Sequence, residues 1–272
     1  MRQRWVSRLS SWVRWRTFLH ALAAACFNFN AKAGEAELCG KHLAGSFAAA
    51  AVRDGRTFQL ADGREVLLAG IEAPSGPVGD AAKAALERLV RGKTVILTQA
   101  EPMIDRYGRL PTHALVVEEG KERWLQQELL AAGYALVAVR PGNAACAKAL
   151  LSAEASARQS RLGLWADSSF GIKASDDLAG LLERRGRFTV AEGRVVSVRE
   201  SGGTIYINFG RVWSRNLTVI ILGRNKSAFE AAGIELKKLQ GARLRVRGFV
   251  EDRGGPRIEA AGPEQIEIAA WQ

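Results

Sequence analysis

The chain has 272 residues, 47% of them hydrophobic and 25% charged. That is enough for one large domain or two small ones with a proper core, and it is the make-up of a globular chain, not a disordered one. The formal net charge of +11 points to an anionic partner such as nucleic acid or a membrane surface.

Part of that charge belongs to the N-terminus. Five arginines and no acid precede a mostly apolar run from Phe18 to Phe27, and "AKA" then stands ahead of a glycine. A basic region, a short apolar core and small residues at the cleavage positions make a secretory signal peptide of residues 1–33, cut after Ala33. The apolar run is too short to cross a bilayer as a helix, so no transmembrane helix is expected in the mature chain. An uncleaved amphipathic anchor, a mitochondrial-type presequence and lipid attachment at Cys26 are the alternatives. Beyond residue 33 the chain keeps 33 basic and 28 acidic side chains, net +5. Residues 34–185 carry 19 of each sign, whereas 186–272 carry 14 basic and nine acidic. Cleavage also discards one of three cysteines and leaves Cys39 and Cys146, a natural disulfide pair in the periplasm or outside the cell. The alternative for Cys146 is plain core, since it shares a helical face with Ala149, Leu150, Ala153 and Ala157.

From Ser46, short strands follow one another: "SFAAAAVRD", "TFQLAD" and "REVLLAG", separated by "DG" dipeptides that favour tight turns. A helix is predicted from Val78 to Arg91, with Ala82, Ala85, Leu86, Leu89 and Val90 at helical spacing and Gly92 after it. "KTVILTQ" and "LPTHALVVE" complete five strands. Further helices are predicted over Glu122–Ala132 and from Asn143 to Gly163, where Trp165 packs the last one down. The fold class read from this order is mainly β with packed helices (α+β), the strands closing into a small barrel; an antiparallel sandwich is the alternative. Residues 34–166 make this first domain, and the polar stretch 167–187 reads as a linker. Residues 188–272 repeat the theme with "FTVAEGRVVSV", "TIYINFG", "NLTVIIL", "ARLRVRGFV" and "EQIEIA", and a short helix "KSAFEAAG" between the third and fourth. The expectation is two five-stranded oligonucleotide-binding-type barrels in tandem, the first with three helices.

Several blocks of the first domain, "VRDGRTFQLADGREVLLAGIEAPS", "DRYGRL", "LQQELLAAGYALV" and "LSAEASARQSRLGLW", resemble the thermonuclease (staphylococcal nuclease-like) family in order and spacing. The resemblance covers about 120 residues. It implies an oligonucleotide-binding barrel that hydrolyses phosphodiesters with calcium. Carboxylates would hold the hard cation, another would activate water, and two guanidiniums would stabilise the phosphate. The positions implied are Asp54, Arg56, Leu67, Glu72, Ser75 and Arg109. Arg56 stands where the family has a second carboxylate, Leu67 where it has an arginine, and Ser75 where it has the water-activating glutamate. These changes add a net +2 to the pocket, which should repel calcium, and remove the base. No catalytic residue is therefore assigned and no cofactor expected. Arg56 and Arg109 are candidates for holding phosphate without metal, against surface or ion-pair roles. His113 has no acidic or cysteine partner at metal spacing and reads as a structural histidine.

In the second barrel, Arg243, Arg245 and Arg247 alternate along one strand, so they share a face. Tyr206 lies opposite the apolar face of its strand, and Arg211, Trp213 and Arg215 follow. Arginines mixed with exposed aromatics suit single-stranded nucleic acid, the alternative being a solvated face paired with Glu251 or Glu259. The leading expectation is an exported, catalytically degenerate family member that binds nucleic acid or another polyanion. An active metal-dependent endonuclease with a rearranged site, using Asp54, Glu72 and Asp105, is the first alternative. An envelope protein-interaction module is the second.

Overall fold

β1 (His42–Asp54), β2 (Thr57–Leu60) and β3 (Glu65–Leu68) form an antiparallel meander in the computed structural model. The structure describes residues 39, 42–99, 104–138, 140, 144–167 and 170–268, so the signal-like segment lies outside the described residues. The described residues make one compact unit that holds both barrels. β4 (Gly70–Glu72) leaves the meander and leads into α1 (Pro77–Val90), after which β5 (Thr94–Gln99) and β6 (Leu110–Glu118) return to it. β5 pairs with β1 and β6, and β6 pairs in parallel with β3, so five strands close into a barrel and the sandwich alternative falls. Alternation fills the inside with Phe58, Leu60, Val66, Leu68, Val95 and Leu97, all essentially buried. Each such side chain contributes about 1.5–3 kcal/mol on leaving water.

The turn between β1 and β2 shows why glycine stands at position 55. A Cβ there would lie 2.6 Å from the Cβ of Ala82 in α1 and 2.9 Å from that of Ala73. Only glycine lets the turn press onto the helix, and this contact carries Asp54 and Arg56 to the end of β4.

One predicted helix starts later than expected. Glu119 (φ 52°) and Gly120 (φ 74°) form a tight hairpin turn, so Lys121–Trp124 become β7 against β6, and α2 covers only Leu125–Ala131. Buried Gln126 then fastens α2 to the barrel, donating from Nε2 to the Thr112 carbonyl (2.9 Å) and accepting from the Ala114 amide (3.2 Å). β8 (Leu136–Ala138) pairs with β4, and α3 (Ala144–Gln159) packs on α2. Cys39 and Cys146 are joined, with Cα atoms 5.0 Å apart.

The polar stretch 167–187 contributes β9 (Lys173–Ala174), parallel to the next barrel's first strand, and α4 (Leu178–Glu183), whose Leu181 is buried in that barrel's core. β10 (Phe188–Arg194) and β11 (Ser197–Ser201) are two halves of one bent strand. At the bend the Val195 amide donates to Ala242 and the Val196 amide to Asn208. β12 (Thr204–Asn208) and β13 (Thr218–Leu222) follow, then α5 (Lys226–Ala231), β14 (Arg243–Asp252) and β15 (Pro256–Glu259). β13 pairs in parallel with β15, β15 with β14 and β14 with β10, which closes a second barrel of the same strand order as the first. The fifth barrel strand is thus Pro256–Glu259. The expected one, around Ile266, is β16 (Ile266–Ile268), which pairs with the first part of β14 on the edge opposite β10. A four-residue strand opening on proline leaves little alternation to read.

The barrels meet along a seam of Leu136, Ala157, Leu164, Trp165 and Val190. Trp165 therefore packs α3 toward the second barrel as well as its own. Inside the seam Arg247, 1% exposed, grips Glu154 of α3 with both Nη atoms (2.9 and 3.1 Å) and also pairs with Glu267.

Candidate functional site

β1, β4 and the loop before β6 bring Asp54, Arg56, Glu72 and Arg109 together at one end of the first barrel. All three neighbours act on the charge of Glu72, so four of the six positions implied by the resemblance lie near one another. What converges is already neutralised. Arg56 Nη1 lies 2.8 Å from Glu72 Oε2 and also donates to the Ile71 carbonyl (3.1 Å). Asp54 accepts from the Arg56 backbone amide (2.9 Å), which spends one of its oxygens on the turn. Partial burial pushes the Glu72 carboxyl up; the Arg56 charge opposes this and the Asp54 charge adds to it.

Arg109 is held in a similar way. Its Nε (2.9 Å) and Nη2 (2.8 Å) both reach Asp105 Oδ2, and its guanidinium sits 5.0 Å from the Tyr107 ring centre. Asp105 Oδ1 takes the Tyr107 and Arg109 amides. Burial alone would raise the Asp105 carboxyl, but these bonds outweigh it and hold it below the usual range. Asp105 is therefore committed within its own loop and is not a third metal ligand beside Asp54 and Glu72. Leu67 sits in β3 opposite Thr57, and Ser75 is exposed after Pro74. Ser75 borders a cavity of about 210 Å³ whose other wall carries Arg184, Arg187 and Phe188, and the carboxylate on its lining, Glu72, is the one already paired with Arg56.

These residues do not fit a calcium ion. A cation needs several oxygens free to turn inward, whereas a guanidinium lies against Glu72 and one Asp54 oxygen is tied to a backbone amide. The sulfurs of Cys39 and Cys146 and a ring nitrogen of His113 lie within 4.8 Å of one another, but joined sulfurs offer no thiolate. His113 is buried, with Nε2 3.7 Å from the Cys146 sulfur and its ring edge-on to Trp124, and burial pulls its pKa down to about 4.

The second barrel redistributes its expected contacts. Arg243, Arg245 and Arg247 do share a face, yet all three are spent on carboxylates. Arg243 and Arg245 both pair with Glu192 at 2.6 Å, Arg245 also reaches Glu267, and Arg247 is sealed in the seam. They form no free anion-binding surface. The reason is the neighbour across the sheet: β10 sets Glu192 directly opposite Arg245, and β16 sets Glu267 beside it.

Tyr206, Arg211 and Trp213 instead line a groove of about 620 Å³ on another face, and Arg215 stands exposed nearby without lining it. Sequence reading missed three more arginines of this groove, Arg199, Arg253 and Arg257. Arg199 was legible in principle, since the "ESGGT" turn pairs it with Tyr206 across the hairpin.

Residues 65–167 match the family described as staphylococcal nuclease homologue. The match begins after Asp54 and Arg56 and includes Leu67, Glu72, Ser75 and Arg109. A comparison of the chain with curated proteins finds no match.

Proposed function

Over residues 65–167 the chain carries a domain of the staphylococcal nuclease homologue family, and on that premise we propose that it is an exported member that no longer hydrolyses phosphodiesters and binds nucleic acid or another polyanion. The observation that carries this reading is the Arg56–Glu72 pair. A guanidinium at 2.8 Å from the carboxylate takes the place a divalent cation would need. The water-activating glutamate is replaced by Ser75, and loss of such a base is commonly worth about 10²–10⁴-fold in rate.

Export is supported by the signal-like N-terminus and by the Cys39–Cys146 bond, which persists in oxidising compartments. No described helix is long and apolar enough to cross a membrane. Polyanion binding is supported by the surplus positive charge of residues 186–272.

The test is incubation of the purified protein with single- and double-stranded DNA and RNA, each with calcium, magnesium, manganese or chelator. Substrates stay intact in every lane. Digestion that chelator abolishes, and that also disappears in Asp54→Ala, would establish a working nuclease instead.

A further inference from the structure

Resting on the polyanion reading, we propose that the groove on the second barrel is a single-stranded nucleic-acid site, in which bases stack on Trp213 and Tyr206 while phosphates pair with Arg199 and Arg211. Four arginines line it (Arg199, Arg211, Arg253 and Arg257) and no carboxylate does. Arg253 and Arg257 share Glu251 at 3.6 and 2.6 Å, so their charge is partly matched. Arg199 and Arg211 make no ion pair among the described residues, unlike the arginines of β14. Two unmatched guanidiniums over a concave, partly apolar floor attract an anion that also brings a flat apolar surface.

Trp213 is 60% exposed, a costly position for an indole in water, but it is not loose. A Cβ on Gly254 would meet ring atoms Cζ3 and Cη2 at 3.0 Å, and a Cβ on Gly255 would meet the Trp213 carbonyl oxygen at 2.5 Å. Gly254 also holds φ at +81°, which disfavours any side chain there. The β14–β15 turn and the loop after β12 therefore interlock with the indole edge seated on bare backbone. A platform placed in advance loses little entropy when a base arrives. Tyr206 stands on the outward side of β12, with Ile205 and Ile207 turned into the core, and Arg199 faces it across the hairpin. Ring and guanidinium on one sheet face match a base and its own phosphate.

This chemistry selects among polyanions. A duplex keeps its bases stacked inside and offers the rings nothing, while a sulfated glycan or an acidic protein would use the arginines and leave Trp213 idle. The volume of about 620 Å³ has room for a nucleotide or two.

Fluorescence anisotropy of the purified protein with a labelled ten-nucleotide single strand, the matching duplex and labelled heparin tests the proposal. The single strand binds more tightly than the duplex. Trp213→Ala weakens it about tenfold and leaves heparin unchanged. Arg211→Glu weakens both and lowers the slope of log affinity against log salt by about 0.7. Both side chains are exposed, so unchanged unfolding midpoints will show the variants folded. A single strand bound equally well by Trp213→Ala and Tyr206→Ala, or a duplex bound as tightly, overturns the site. Heparin binding without any single-strand binding overturns the site and leaves the polyanion reading standing; binding of neither overturns both.

Discussion

In the first barrel Arg56 and Arg109 each lie 2.8 Å from a carboxylate, whereas in the second Arg199 and Arg211 meet none among the described residues. The two barrels run the same strand order, with a helix between third and fourth strands in each. Their difference therefore lies in the matching of charges on a common frame. The run Arg243, Arg245, Arg247 is the most conspicuous positive feature of the second barrel's sequence, yet carboxylates take up all three. Free positive surface is a property of cross-strand neighbours, and a basic residue contributes to it only where the strand beside it brings no acid.

The largest effect that tests this contrast is at the seam. Arg247 is enclosed between Glu154 and Glu267, with an additional bond to the Val137 carbonyl (3.2 Å). Arg247→Ala leaves Glu154, itself fully buried, without its main partner, and should cost about 3–5 kcal/mol in urea unfolding. Arg243→Ala, 55% exposed on the same strand face, should cost under about 1 kcal/mol. Arg158 and the Val137 amide still reach Glu154 in the first variant, and they set the lower end of that range. Equal costs for the two variants would mean that burial does not separate matched from structural arginines here.

A second contrast is acid sensitivity, because His113 lies in the first barrel and residues 188–272 contain no histidine. Burial lowers the His113 pKa from the ordinary 6.5 to about 4, so the fold holds it neutral. Above pH 6.5 the group is neutral in both states and its contribution is fully present. As pH falls toward 4 the unfolded chain gains a proton that the fold refuses, and stability drops by roughly 3 kcal/mol. Carboxylates come in lower down. Burial works against ionisation of Glu192, but Arg243 and Arg245 hold its carboxyl below the usual range, and Lys93 and Arg123 do so for Glu118. Their contributions, present above the ordinary carboxylate pKa, are lost only as pH falls through those lower values. Unfolding midpoints of His113→Leu measured from pH 7 down through the carboxylate range should lack the upper part of the decline and keep the lower part. A decline identical to that of the unsubstituted protein would refute the assignment to His113.

The parts of this molecule legible in its sequence are those set by local rules. Alternating apolar residues, "DG" turns and the glycine after α1 were enough for all five strands of the first barrel, the first four of the second and the helix between the third and fourth. The family blocks located Asp54, Glu72 and Arg109, which the structure does bring to one end of the barrel. Short elements escaped for a physical reason. β7, β8 and β15 have three or four residues each, too few to show a period, and exist because a neighbouring strand offers them partners. The fates of the arginines escaped as well. Whether Arg245 meets Glu192 or water depends on register between strands about 50 residues apart, and the sealing of Arg247 depends on contact with Glu154 in the other barrel. The groove of Arg199 and Trp213 needed the hairpin register and the interlock of two loops.

The smallest effect probes the pair that closes the first barrel's site. Arg56 and Glu72 are 26% and 20% exposed, so water screens their attraction and Arg56→Ala should cost no more than about 1 kcal/mol. The loss should depend on pH in a stated direction. Glu72 titrates above its ordinary value because burial penalises its charge, so the fold is favoured by the protonated form, and that advantage fades as pH rises through the folded pKa. Removing Arg56 takes away the stronger of the two cations, Arg56 and Arg109, that stabilise the ionised form and raises this pKa further. The variant should then match the parent near pH 4 and fall behind it as pH approaches 7. If stability is instead lost equally at both ends, the contribution of Arg56 comes from its bond to the Ile71 carbonyl and not from the ion pair. In that event Glu72 would be a carboxylate open to a cation, and calcium titration of the same variant by calorimetry would be the direct measure of how far the two barrels differ.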